Sequence, residues 1–119
     1  MAKVASNGMI DGGLTTYGTC TTLTVCAGQP VSQADIAAKA LATVTIAATD
    51  FTVGNGTTSG RKSTVAAQSA IPITANGTAD HVAVDNGIDY YITTATAQAL
   101  VSGGTVSTPA FDREISDPV

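Results

Sequence analysis

Apolar positions in this chain fall in short runs, not in long amphipathic spans. Apolar and β-branched residues gather near Thr19–Ala27, Thr43–Ala48, Ser63–Ala67, Ile71–Thr74, His81–Val84, Ile88–Thr94, Thr105–Thr108 and Phe111–Ile115. Such runs read as strands, because branched side chains pack well on a pleated surface. Turn formers separate them. Each of the four Asn residues (Asn7, Asn55, Asn76, Asn86) is followed by Gly, and Asn-Gly is a strong hairpin signal because both residues tolerate positive φ. Gly12-Gly13, Gly28-Gln29-Pro30, Ser59-Gly60 and Gly103-Gly104 add further breaks. The clearest hairpin joins His81–Val84 to Ile88–Thr94 through Asp85-Asn86-Gly87. One segment reads as helix. Ser32 can cap Gln33-Ala34-Asp35-Ile36-Ala37-Ala38-Lys39-Ala40, with Asp35 in a shortened capping box and Ala favouring helix. The β-branched residues after Leu41 should end it. The pattern predicts an all-β fold: an antiparallel β-sandwich or flattened barrel of about eight short strands, with one short helix near 32–40 over a sheet edge.

Composition sharpens this picture. A chain of 119 residues holds one domain. It divides into an N-terminal arm, 1–13, and a β domain, 14–119. The arm contains Asn7-Gly8 and Gly12-Gly13, has little to pack against internally, and is expected to lie on a neighbouring subunit. There are twenty Thr, twenty Ala and no Trp, and aromatics make up 4%, so the core must be built from Val, Ile, Leu, Ala and Thr methyls. Charged residues make up 12%, about half the usual share. With 44% hydrophobic residues, the chain is not of the disordered class. Five basic residues, a net charge of −4 and no basic cluster beyond Arg61-Lys62 exclude a free nucleic-acid binder. No run approaches the roughly eighteen apolar residues of a membrane span, and no apolar leader follows Lys3, so neither a membrane partner nor secretion is expected. Charge is absent from Gly12 to Ala34 and from Tyr91 to Ala110. Uncharged strand edges invite pairing. Some of these faces are therefore expected to be covered by another copy, in a homo-oligomer such as a trimer.

Little in the sequence points to a reaction. Cys20 and Cys26 lack zinc spacing and partners, and without a leader they are expected to be reduced. On one strand they would face the same side roughly 20 Å apart at about 3.3 Å per residue, beyond disulfide reach. They read as small buried thiols, with an intermolecular disulfide, or an intrachain one across a sharp bend, as the competing readings. His81, the single His, reads as a packed or interfacial residue and not as a triad member. Asp80, Asp85 and Asp89 bracket the Asn86-Gly87 turn and read as a polar hairpin, with an adventitious cation site as the alternative. Asn55-Gly56-Thr57 and Asn76-Gly77-Thr78 match the glycosylation sequon, which matters only in a secreted chain. Gly54, Gly56 and Gly60 before Arg61-Lys62-Ser63 have the wrong spacing for a phosphate loop. No catalytic, cofactor-binding or metal-binding residue is assigned, and no enzyme is expected. Tyr17, Tyr90 and Tyr91 are the only Tyr available to stack on a sugar.

Three segments together carry a resemblance: Val25-Cys26-Ala27-Gly28-Gln29-Pro30; Ser59-Gly60-Arg61-Lys62-Ser63-Thr64-Val65; and the tail from Gly77-Thr78-Ala79-Asp80-His81-Val82-Ala83-Val84-Asp85 through Gly103-Gly104 to Ala110-Phe111-Asp112-Arg113-Glu114-Ile115. In order and spacing they resemble a family of small proteins encoded among the structural genes of tailed bacteriophages. Its members show Cys-x-x-x-Pro, Gly-Arg-Lys before a strand, and a C-terminal Ala-Phe-Asp-x-Glu-Ile. The resemblance spans roughly residues 20–118. It implies a structural protein of the virion, made in the host cytoplasm and without catalytic residues. The leading expectation is a capsid decoration or cement protein in contact with itself and the major capsid protein. The alternatives are a neck or tail protein, or a receptor- or carbohydrate-binding fibre module.

Overall fold

The computed structural model describes residues 14–15, 17–57 and 60–115. The expected arm, 1–13, lies outside them, as do Ser59 of the Ser59-Gly60 break and the last residues of the C-terminal tail. The described strands are β1 (Thr22–Cys26), β2 (Ala40–Thr45), β3 (Phe51–Asn55), β4 (Arg61–Val65), β5 (Gln68–Pro72), β6 (Gly77–Asp85), β7 (Tyr90–Leu100), β8 (Thr105–Thr108) and β9 (Phe111–Ile115). All named pairings are antiparallel. A four-stranded sheet has the order β2-β1-β6-β7, a three-stranded sheet the order β3-β4-β9, and β5 pairs with β8. The fold is all-β, as the patterning predicts.

One core serves all three sheets. Leu23 and Val25 of β1 and Val82 and Val84 of β6 point inward, meeting Val65 of β4, Ile71 of β5 and Val106 of β8. Register fixes the alternation: Leu23 pairs with Val84 and Val25 with Val82, while Thr24 opposite Ala83 faces the other way. On that outer face lies the helix α1 (Gln33–Ala38). Its Ile36 is buried with Cys26 and Ala83, and Ile92 packs alongside. The helix therefore covers a sheet face, not the edge that the sequence predicts. Its cap follows the sequence: the Asp35 amide donates to Ser32 Oγ at 3.2 Å. The Asp35 carboxylate accepts from the Val31 amide at 2.9 Å and pairs with Lys39 Nζ.

Strands β1, β5 and β6 begin at Thr22, Gln68 and Gly77, where the sequence predicts Thr19, Ile71 and His81, and Tyr17–Thr19 forms a 3-10 turn. The structure departs from the expected elements in four further places. The helix stops at Ala38, because Ala40 already pairs with Cys26 and the Ala27 amide donates to the Lys39 carbonyl at 3.0 Å. This ladder outweighs the helix preference of Ala. Phe51–Asn55, which reads as a connection, is a strand paired with β4. β7 runs on to Leu100 instead of ending near Thr94, because Thr78 and Gly77 of β6 offer partners to Ala99 and Leu100. The β6–β7 loop takes in Asn86, Gly87, Ile88 and Asp89, closed by the Asp85–Tyr90 pair. Asn86 Oδ1 accepts from the Ile88 and Asp89 amides at 2.9 and 2.7 Å. Gly87, at φ 93°, occupies the left-handed region.

Candidate interaction surface

β7 terminates its sheet: β6 lies on one side, and among the described residues no strand lies on the other. It carries no charge over its eleven residues. By contrast, the edge strand β9 carries Asp112, Arg113 and Glu114, the usual protection against unwanted pairing. Midway, the register jumps from Ala79–Gln98 to His81–Thr94, so Ala95, Thr96 and Ala97 stand opposite Asp80 alone. This bulge bends the strand. Thr94 through Ala99 are exposed.

Beside the bulge a groove of about 380 Å³ opens between β7 and the β8–β9 corner. Val25, Ala79 and Val82 form its floor, Thr93–Thr96 one wall, and Val106, Thr108, Pro109 and Phe111 the other. Thr108 is 6% exposed, yet its Oγ1 has no hydrogen-bond partner among the described residues. A buried hydroxyl without a partner is uncommon and costs about 1–3 kcal/mol.

The outer face of the four-stranded sheet is also neutral. Flanking α1 it presents Thr43, Thr45, Tyr90 and Thr94, all exposed. Its one carboxylate, Asp85, is buried and bonded to Gln33 Nε2 at 2.7 Å and to the Gly87 amide at 3.1 Å.

The residues singled out from sequence do not converge on a reaction centre. His81 is half-buried, with Nδ1 2.8 Å from Asp80 Oδ1. That oxygen also accepts from the Gly28 amide at 2.7 Å. Together with Gly28 the imidazole holds the Asp80 carboxyl below the usual carboxylate range, His81 being the larger cause. Asp85 serves the turn, and no group of three or more metal-capable side chains gathers among the described residues. Cys20 and Cys26 are free and buried, but not on one side. Cys20 precedes β1 and sits in the main core, whereas Cys26 lies under α1. Burial pushes each thiol up to about 11. Asn55 Oδ1 accepts from Arg61, Lys62 bonds Thr57 Oγ1 at 3.0 Å and lies 3.4 Å from Asp112, so both cations sit in local surface networks. Asn76 Oδ1 accepts from the Ser102 amide at 2.6 Å and ties the β7–β8 turn to the start of β6.

The three Tyr residues do not form a stacking platform. Tyr17 is buried and meets Phe51 and Tyr91 edge-on at 5.1 and 5.3 Å. The Arg113 guanidinium lies 5.4 Å from the Tyr91 ring centre. The Tyr17 hydroxyl is held above its ordinary range by burial, with Tyr91 the next cause. Nothing in the sequence marks the groove or the Thr108 hydroxyl itself. The charge-free stretch from Tyr91 to Ala110, which contains parts of both walls, is the nearest signal. No family model, curated protein or solved structure matches the chain.

Proposed function

We propose that the protein is a structural subunit of a tailed-bacteriophage virion, acting as a capsid decoration or cement protein through repeated contacts with itself and with the major capsid protein. The observation that carries this reading is the uncharged, exposed edge of β7 together with the neutral sheet face beside it. Like surfaces without charge can meet around a symmetry axis with no repulsion, which suits a subunit repeated on a lattice. The sequence resemblance supports the virion role. The scattered titratable groups fit a protein that performs no chemistry. The buried, edge-on Tyr17 weighs against the carbohydrate-binding alternative. The test is copy number per particle, from quantified protein in purified virions. Hundreds of copies are expected for a shell protein. About six to twelve would move the protein to the neck, a few trimers would make it a fibre module, and absence from the particle would overturn the structural role.

A further inference from the structure

On the outer face of the four-stranded sheet a cleft of about 260 Å³ opens between α1 and β2. Register sets its sheet wall. Thr24 of β1 stands opposite Thr43 of β2, and Thr22 of β1 opposite Asp85 of β6. Gln33, Ile36 and Ala37 of α1, with Ala40, form the other wall. Two acceptors there lack what burial demands. Asp85 is 7% exposed, and its carboxylate receives two hydrogen bonds from neutral donors, Gln33 Nε2 and the Gly87 amide, both at Oδ2. Among the described residues no cation pairs with it. Gln33 Oε1, on the other arm of the same amide, is buried without a hydrogen-bond partner among the described residues. A buried carboxylate without a counter-charge and a buried carbonyl without a donor are each costly. One donor group that carries positive charge relieves both.

The chemistry of the walls narrows the donor. A calcium ion gathers about six to eight oxygen ligands, usually with several carboxylates. Here Asp85 is the single carboxylate lining the cleft, and among the described residues no three metal-capable side chains gather. A guanidinium is a planar fork that favours a carboxylate with both oxygens open, whereas Asp85 Oδ2 already accepts twice. A primary ammonium is a compact charge with three donors. These match Asp85, Gln33 Oε1 and a hydroxyl of the threonines in the sheet wall. The side chains of Ile36, Ala37 and Ala40 suit an alkyl stem, which lies on apolar surface while its charged head finds oxygens. The cleft is also several times larger than the roughly 30 Å³ share of one water molecule.

We infer that the cleft between α1 and β2 is a binding site for a primary ammonium group on a short alkyl stem, with Asp85 as its counter-charge. This site stands or falls apart from the assembly reading. A free diamine and a lysine side chain of another protein carry the same chemistry. The test is a titration of the full-length protein with n-butylammonium at neutral pH, followed by the NMR signals of the backbone amides. Saturable shifts are expected, concentrated at Thr22, Thr24, Gln33 and Thr43. Butanol, which has the stem without the charge, should produce none. Asp85→Asn should weaken binding by roughly tenfold or more. Because Asp85 also bonds the Gly87 amide, a second variant leaves the turn alone. Ala37→Leu, at an exposed helix position, fills the cleft and should abolish the shifts while folding like the parent. Two further probes separate the sources. Putrescine binding more tightly than Nα-acetyl-lysine amide points to a free diamine, whereas equal or tighter binding of the capped lysine points to a lysine on a partner. The inference is overturned by the absence of saturable shifts, by equal binding of butanol, or by calcium binding more tightly than butylammonium at the same residues. It is also overturned if folded Asp85→Asn binds like the parent or if Ala37→Leu leaves the shifts in place.

Discussion

Ala70 is the one described residue other than Gly with positive φ, at 54°. It lies on β5 where the pairing with β8 slips between Gln68 and Ile71. An L-residue in the left-handed region costs about 1–2 kcal/mol, a cost that Gly avoids. Ala70 is exposed, so its methyl group contributes little packing. Ala70→Gly should therefore stabilise the fold by about 0.5–1 kcal/mol after the greater freedom of unfolded Gly is counted, and thermal melting should show a higher midpoint. Asp80 gives a pH-dependent counterpart. Its carboxyl titrates below its unfolded value of about 3.9 because of His81 and then the Gly28 amide. The stability it adds is thus present at neutral pH, fades as pH falls below about 4, and is gone below the lowered native value. Asp80→Asn should lower the melting midpoint at pH 7 and flatten its fall on acidification. An unchanged slope would mean that neither contact of the Asp80 carboxylate, with His81 or with the Gly28 amide, carries pH dependence.

At the level of elements, α1 has six residues and cannot persist alone. Its tertiary anchor is Ile36, 3% exposed over Cys26 and Ala83. Ile36→Ala should cost about 2–3 kcal/mol, read as a shift in the urea midpoint. Which elements were legible in sequence follows the same logic of local against distant support. β8 and β9 have the limits that the sequence predicts, because Gly103-Gly104 and Pro109-Ala110 bracket them. β3 was missed because Gly54 interrupts its three β-formers and Asn55-Gly56 reads as a turn. The far half of β7, Ala95–Leu100, has weak strand preference and is held by pairing with β6. The two-residue slip that opens the groove belongs to that pairing. The neutrality of the surface is visible in the sequence, whereas its concavity appears only once β7 and the β8–β9 corner, from different sheets, line one groove.

For the whole molecule, the shared core predicts one cooperative unfolding event. Val65 of the three-stranded sheet is fully buried among residues of the other two. Val65→Ala should cost about 2 kcal/mol from lost methyl groups and residual cavity. It should lower the urea midpoint with an unchanged slope, and far- and near-ultraviolet circular dichroism should move together. Separate transitions by the two probes would show that the sheets unfold independently.

The placement of the two cysteines, one in the main core and one beneath α1, gives the molecule two internal clocks. A thiol reagent that reaches Cys26 alone times the lifting of the helix from its sheet, and one that reaches Cys20 times the parting of the sheets. Lifting a six-residue helix breaks far less structure than opening the core, so Cys26 should be labelled first and Cys20 should wait for global unfolding. The difference between the two rates would then measure, in a single unmodified chain, how loosely the helix is fastened to the four-stranded sheet beneath it.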